Sequence, residues 1–244
     1  MVIQLDFEPE EQDGQVLADF PEDELLEITK VERQKKSDYR YIIYFGAYNM
    51  TVHEDVMIKY RMITGNSFMK ADLEEIVVAD ERQRAYVAGL RYLERKPRTA
   101  MEMTRRLRQK EIGETMIAEV VQRLQQERFL DDPLYAKQWA EQRITNQRKG
   151  KLWIRQELRE KGIDKALISE ALENITAEQE LESALQTGRK KWSLIRGDIS
   201  DKRRKTGAFL MRRGFPSDIV RQVINTLLEE DNYEGEDEEF YWNH

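Results

Sequence analysis

Three stretches of this 244-residue chain align without a gap: LRQKEIGETMIAEVVQRLQQE (107–127), LREKGIDKALISEALENITAE (158–178) and LMRRGFPSDIVRQVINTLLEE (210–230). Their starts lie 51 and 52 residues apart. A period near 50 constrains the fold more than any single motif does. Each copy is one supersecondary unit that cannot bury its own apolar face, so neighbouring copies must stack. The shared positions read as helix, turn, helix. Leu107, Leu158 and Leu210 end a first helix on its apolar side. Lys110, Lys161 and Arg213 fall in its last turn, where a cation meets the negative helix end. Gly162 and Gly214 suit the left-handed residue that stops a helix, whereas Glu111 must hold that place in the first copy without glycine's freedom. Ile112, Ile163 and Phe215 follow as apolar plugs. Met116/Ile117, Val120/Val121 and Leu124 then run at helical spacing, matched by Leu167/Ile168, Ala171/Leu172 and Ile175, and by Ile219/Val220, Val223/Ile224 and Leu227. That is one buried stripe per unit.

The period leaves room for a further helix ahead of each pair. RAYVAGLRYLER aligns Tyr86, Leu90 and Leu93. LYAKQWAEQRI aligns Tyr135, Ala136, Trp139 and Ala140, and LESALQTGRKKW turns Leu181, Leu185 and Trp192 inward. Thr99 with Glu102 and Thr176 with Gln179 fit capping boxes. Asp132-Pro133 fits an N-cap followed by Pro in the first turn. The expected fold is mainly α: three tandem three-helix repeats, nine helices, in an elongated curved rod roughly 60–75 Å long.

The N-terminal part differs in texture. Residues 1–25 are acidic with little periodicity and read as a flexible arm. Tyr39, Tyr41, Ile43 and Phe45 alternate with Arg40, Ile42, Tyr44 and Gly46, a strand signal. GAYN reads as a turn before a second strand around Met50 to Val52, an earlier strand over Leu26 to Arg33 joins them, and HEDVMIKYRM reads as a short helix. The expected organisation is an acidic arm (1–25), a small β-hairpin/α module (26–71), repeats at 72–130, 131–175 and 176–231, and an acidic tail (232–244).

Composition narrows function. There is no Cys and there are only two His, His53 and His244, so neither a thiolate nor a His-based metal site is expected. No run of about 18 apolar residues exists to span a membrane. The opening MVIQLDFEPEEQDG is acidic and has no apolar signal core. A cytoplasmic, soluble, monomeric protein without a cofactor is the expectation. Gly-rich phosphate loops, HExxH, a usable Ser/His/Asp set and paired carboxylates in a cleft are all missing, so catalysis is not expected. Asp131-Asp132 reads as a helix start. Trp139, Trp153 and Trp192 read first as core fillers, with stacking platforms for bases as the alternative.

Charge is segregated. Residues 1–81 hold 8 Lys and Arg against 19 Asp and Glu, a net of −11; residues 82–228 hold 32 against 20, a net of +12; residues 229–244 hold none against 8. A basic middle between acidic ends favours a polyanion or an acidic protein. The candidate binding residues are Arg95, Lys96, Arg98, Arg105 and Arg106 in the first repeat. Arg143, Arg148, Lys149, Lys151 and Arg155 follow in the second, and Lys190, Lys191, Lys202, Arg203, Arg204 and Lys205 in the third. Many sit between a unit's first and second helices, as RKPR, RKGK and KRRK. A solvated helical face explains any one cluster; its recurrence on a regular scaffold points to a binding surface. Phosphate contacts of this kind give weak, salt-sensitive, sequence-independent binding.

FLDDPLYAKQWAEQR (129–143), GKLWIRQELREKGI (150–163) and AGLRYLERKPRTAMEMTRRLRQKEI (88–112) together resemble the RecX regulatory proteins, modulators of the RecA recombinase. VHEDVMIKY (52–60), after the strand ITKVERQKK, is similar to the longer N-terminal segment of the Gram-positive versions. The resemblance covers roughly residues 26–230. It implies non-catalytic control of homologous recombination: binding in the groove of the RecA filament on single-stranded DNA, blocked extension, and reduced strand exchange and ATP hydrolysis. The implied partners are the RecA filament and DNA, single-stranded first and double-stranded second, with no membrane. Two other classes remain open. One is a tandem three-helix transcription factor reading duplex sequence, although ETMIAEVVQRLQQE and DKALISEALENI carry acids and few groups suited to base edges. The other is a helical adaptor with no nucleic-acid role. The acidic tail reads as a solvating end that limits nonspecific DNA binding.

Overall fold

The computed structural model describes residues 17–35, 37 and 39–242, with side chains described up to Asp231. Most of the expected acidic arm, and part of the acidic tail, therefore lie outside the described residues. The chain divides into two compact units. One takes in the described residues up to Arg95 together with Leu107–Leu124; the other takes in Lys96–Arg106 and everything from Gln125 onward.

The first unit contains the sheet. Strands β2 (Lys30–Arg33), β3 (Arg40–Phe45) and β4 (Tyr48–His53) form an antiparallel sheet in that order, while β1 (Leu26–Glu27) pairs with β5 (Ser67–Phe68) in a two-stranded ladder. The single strand expected over Leu26 to Arg33 is thus two strands in different sheets. Phe45 lies opposite Tyr48, so the hairpin turn is the two residues Gly46-Ala47, with Gly46 at φ +65°. Two-residue hairpins need positive φ, which glycine supplies without strain. The alternation selects the buried face: Ile43, Phe45, Met50 and Val52 are buried, with Leu17 and Phe20 against them from the segment read as a loose arm. The Phe20 ring meets Phe45 edge-on at 5.9 Å.

Helix α1 (Glu54–Lys59) leads to α2 (Lys70–Leu93), 24 residues long. It begins well before the RAYVAGLRYLER segment and runs without a break across the expected boundary at residue 72. Its Asp80 explains the continuity. That carboxylate, 3% exposed, pairs with the Arg40 guanidinium at 2.7 Å and accepts the His53 amide at 2.5 Å. A buried carboxylate satisfied by both partners ties the sheet to the helix that also opens the first repeat. Arg123, from α4 (Glu114–Gln126), lies 3.6 Å above the Tyr86 ring and completes the unit with an Arg82–Glu119 ion pair.

The second unit holds the start of α3 (Ala100–Arg108) and then α5 (Asp132–Thr145), α6 (Lys151–Glu160), α7 (Lys165–Glu173), α8 (Ala177–Ser193), α9 (Ile199–Arg212) and α10 (Ser217–Trp242). Ten helices are present among the described residues: the nine of the three repeats, plus α1. The stripes read from the period are buried. Leu107, Leu158 and Leu210 are each 0% exposed, and Ile168, Leu172, Val223 and Leu227 share one core with Ala136, Ile154 and Trp192. Both capping boxes form, with Thr99 bonded to Glu102 and Thr176 to Gln179 in both directions. The N-cap of α5 is one residue earlier than expected: Asp131 accepts the Leu134 amide at 2.8 Å. Asp132 is drawn instead into a tertiary contact described below. Among the described residues no helix is long and apolar enough to cross a membrane.

Candidate nucleic-acid interface

One joint recurs in the second unit, and it decides which cations are available. Thr99, just ahead of α3, is completely buried; its hydroxyl donates to the Lys161 carbonyl at 2.7 Å, and the Ala100 amide donates to Asp132 at 2.9 Å. One period later the pattern repeats. The Gly150 amide donates to the Arg213 carbonyl at 2.9 Å, the Leu152 amide to the Gly214 carbonyl at 3.1 Å, and the Lys151 amide to Glu180 at 2.9 Å. In both cases the start of a repeat's second helix sits on the helix–helix turn of the next repeat. An acid from that next repeat's first helix satisfies an amide that the helix itself cannot pair. Burial pushes the carboxyls of Asp132 and Glu180 up, against those amide bonds.

The glycines of the turn belong to this joint. Gly162 and Gly214 have φ +76° and +85°. A Cβ on Gly162 would strike the Met101 side chain, and one on Gly214 would strike the Trp153 backbone nitrogen. Glu111 holds the same left-handed place at φ +61° in the first copy, where its side chain is exposed.

The sixteen candidate cations fall into two groups. Arg95, Lys96, Arg105, Arg106, Lys190, Arg203 and Arg204 are exposed, and Arg204 is bonded to Asp201. The other nine are half-buried, and most make internal contacts. Arg98 lies 3.9 Å from Glu102. Lys151 donates to the Ile175 carbonyl at 2.7 Å; Lys202 pairs with Asp231, and Lys205 with Asp201. Lys191 lies 5.6 Å from the Phe209 ring. Arg155 lies near enough to Glu180 to favour its charged form, without a hydrogen bond between them. Arg148 has a left-handed backbone, and its carbonyl accepts from Arg213.

The two remaining cations, Arg143 and Lys149, belong to an aromatic cluster in the middle repeat. The Arg143 guanidinium lies 3.7 Å over Trp139, and the Lys149 ammonium 3.6 Å over Trp153. Lys161 sits 4.5 Å from Trp139 and 5.6 Å from Tyr135, whose ring stacks on Trp139. Glu157 organises the group by accepting from Arg143 at 2.7 Å and from the Trp139 indole at 3.0 Å. Burial works to raise the Glu157 carboxyl, but the hydrogen bonds from Arg143, Trp153 and Trp139 hold it below its usual value. Burial and the neighbouring Arg213 push the Lys149 ammonium down. Rings of this kind that keep an accessible edge, interleaved with cations, suit bases and phosphates together. Trp192 is different. It is 5% exposed and fills the core, with its indole bonded to Asp231. Trp153, 39% exposed, is the accessible one. Sequence reasoning named all three tryptophans together; the spacing of Lys149 and Glu157 around Trp153, at four residues on either side, was the signal that separates it.

Known proteins resemble this chain in sequence and in fold. The RecX first, second and third three-helix domains match residues 85–124, 131–172 and 178–224. Regulatory protein RecX of Bacillus cereus (strain AH820) is 31% identical over 221 residues, covering 88% of this chain and 82% of that protein. Its counterpart in Bacillus cytotoxicus is 29% identical over the same span. A crystal structure of regulatory protein RecX superposes with a TM-score of 0.70 at 28% identity, covering 82% of this chain and all of that one. RecX from Lactobacillus salivarius superposes with a TM-score of 0.57 at 28% identity over 61% of this chain and 97% of that one. By sequence and by fold, this chain belongs to the RecX family of regulatory proteins.

Proposed function

We infer that this protein binds the RecA–single-stranded DNA filament and restrains it, slowing its extension, ATP hydrolysis and strand exchange. Family membership supports a regulator of RecA. The observation that carries the finer reading is the distribution of cations. Arg95, Lys96 and Arg105 stand exposed in the first repeat and Lys190 and Arg203 in the third, with no side-chain ion pair or hydrogen bond among the described residues. The middle repeat adds the aromatic–cation cluster. Weak contacts spread over linked repeats reinforce each other, because the first to bind raises the effective concentration of the rest. A polymer of repeating protomers and phosphates is a target for which such spacing pays.

The test is RecA ATP hydrolysis on single-stranded DNA with the protein titrated in. Inhibition that saturates near stoichiometric amounts is expected; an unchanged rate at equimolar or greater amounts overturns the reading. Charge reversal belongs at Arg105, Lys190 and Arg203. Lys151 is a poor choice because its ammonium caps the Ile175 carbonyl, and losing it would disturb the fold.

A further inference from the structure

The groove between a repeat's second and third helices recurs in the second unit. In the middle repeat it has a volume of 260 Å³ and is lined by Arg155, Arg159, Lys165, Ile168 and Ser169. In the third repeat it has a volume of 450 Å³, and its wall includes Arg203, Arg204, Val220 and Arg221. On the third-helix side the linings are register-equivalent: Lys165 and Ser217, Ile168 and Val220, Ser169 and Arg221 are each 52 residues apart. On the second-helix side the cations come from different turns, yet each groove ends with three.

Four of these six cations have no side-chain partner. Arg159, Lys165, Arg203 and Arg221 are exposed, and none makes an ion pair or side-chain hydrogen bond among the described residues. Like charges gathered around an open groove repel one another, and folding gains nothing from placing them there. The first repeat supplies the contrast. There Arg108 and Glu114 occupy the places of Arg159 and Lys165, and they pair with each other through two hydrogen bonds, of 2.5 and 2.9 Å. These two positions are therefore neutralised internally in the first repeat and left open and cationic in the middle one; in the third repeat Met211 and Ser217 stand there, and Arg203, Arg204 and Arg221 supply the groove's charge instead.

We propose that the second-helix/third-helix grooves of the middle and third repeats are phosphate-binding sites for the backbone of single-stranded DNA. This rests on the filament reading above and assigns its DNA-contacting face. The apolar floor, Ile168 or Val220, excludes water beneath a bound phosphate, and the cations converge from both walls. Lys165 and Arg221 were absent from the basic clusters singled out in the sequence, which reached Arg159 in the middle repeat. Both lie outside the junction between first and second helices on which those clusters were centred.

The experiment uses the full chain and a labelled oligo(dT), with binding followed by fluorescence anisotropy across a salt series. R159Q/K165Q and R203Q/R221Q remove two contacts each. Each should reduce the magnitude of the negative slope of log affinity against log salt by about 1.4, at roughly 0.7 per lost single-strand phosphate contact. R108Q/E114Q in the first repeat should leave it unchanged. Circular dichroism confirms that the variants are folded. Unchanged slopes in both groove variants, or no salt-dependent binding by the wild-type chain, overturn the proposal. RecA ATP hydrolysis measured on the same proteins separates the two conclusions. Inhibition by wild type with unchanged slopes sinks the grooves alone; reduced slopes without any effect on RecA sink the filament reading alone.

Discussion

Gly214→Ala tests the repeated joint directly. Gly214 sits at φ +85°, and an added Cβ would meet the backbone nitrogen, Cα and Cβ of Trp153. Three costs add. An L residue held in the left-handed region costs about 1–2 kcal/mol. The obstacle is backbone, so no rotamer change relieves it, and the start of α6 must move away. That movement weakens the Gly150–Arg213 and Leu152–Gly214 hydrogen bonds, worth about 1 kcal/mol each. The expected loss is about 3–4 kcal/mol. Urea unfolding read by fluorescence is the assay, since Trp139, Trp153 and Trp192 all belong to the second unit. Gly162→Ala meets the Met101 side chain, including its Cβ, which no rotamer change moves, and should also destabilise, by about 2 kcal/mol or more. A Gly214→Ala protein within 1 kcal/mol of wild type would refute the joint as described.

Other outcomes follow from the same geometry. Glu111→Gly removes left-handed strain at an exposed turn and should raise stability by about 1 kcal/mol in the same denaturation assay. Burial works to raise the Glu102 carboxyl, but the Lys161 ammonium and Thr99 amide hold it below the ordinary value of 4.5, so its contribution is present above that value and lost as pH falls through the depressed one. Glu102→Gln should therefore cost about 1.5–3 kcal/mol near neutral pH, with the difference closing in acid. Asp132 has the opposite sign. Burial raises its carboxyl, so its favourable part holds below the unfolded value and fades as pH rises through the folded one; Asp132→Asn should gain on wild type as pH rises, by denaturation midpoints across a pH series. Deleting 233–244 should leave oligo(dT) affinity nearly unchanged. Cutting at 229 would remove Glu230 and Asp231, which pair with Arg189 and Lys202, and should lower the melting temperature.

Much of the fold was legible because it is local or periodic. The stripe from Ile168 to Ile175, the buried Leu107, Leu158 and Leu210, and the boxes at Thr99 and Thr176 depend only on spacing along one helix. What was not legible is tertiary. Asp131 and Asp132 look alike in sequence, yet one caps its own helix and the other caps α3. Trp153 and Trp192 carry equal apolar weight, but only contacts from Asp231 and the core decide that Trp192 is interior. Lys151 reads as one more surface cation until the Ile175 carbonyl appears beside it. The β1–β5 ladder joins strands about 40 residues apart, beyond the reach of a local pattern.

The borrowed caps set an order on biosynthesis. The start of α6 finds its carboxylate, Glu180, and its carbonyl seat, Arg213, only in the repeat that is translated after it. A chain paused on the ribosome before α8 emerges would expose a frayed helix beside its apolar stripe. Nonsense truncations inside the third repeat should thus release the second as well, and the quality-control machinery of the cell would meet both as one substrate.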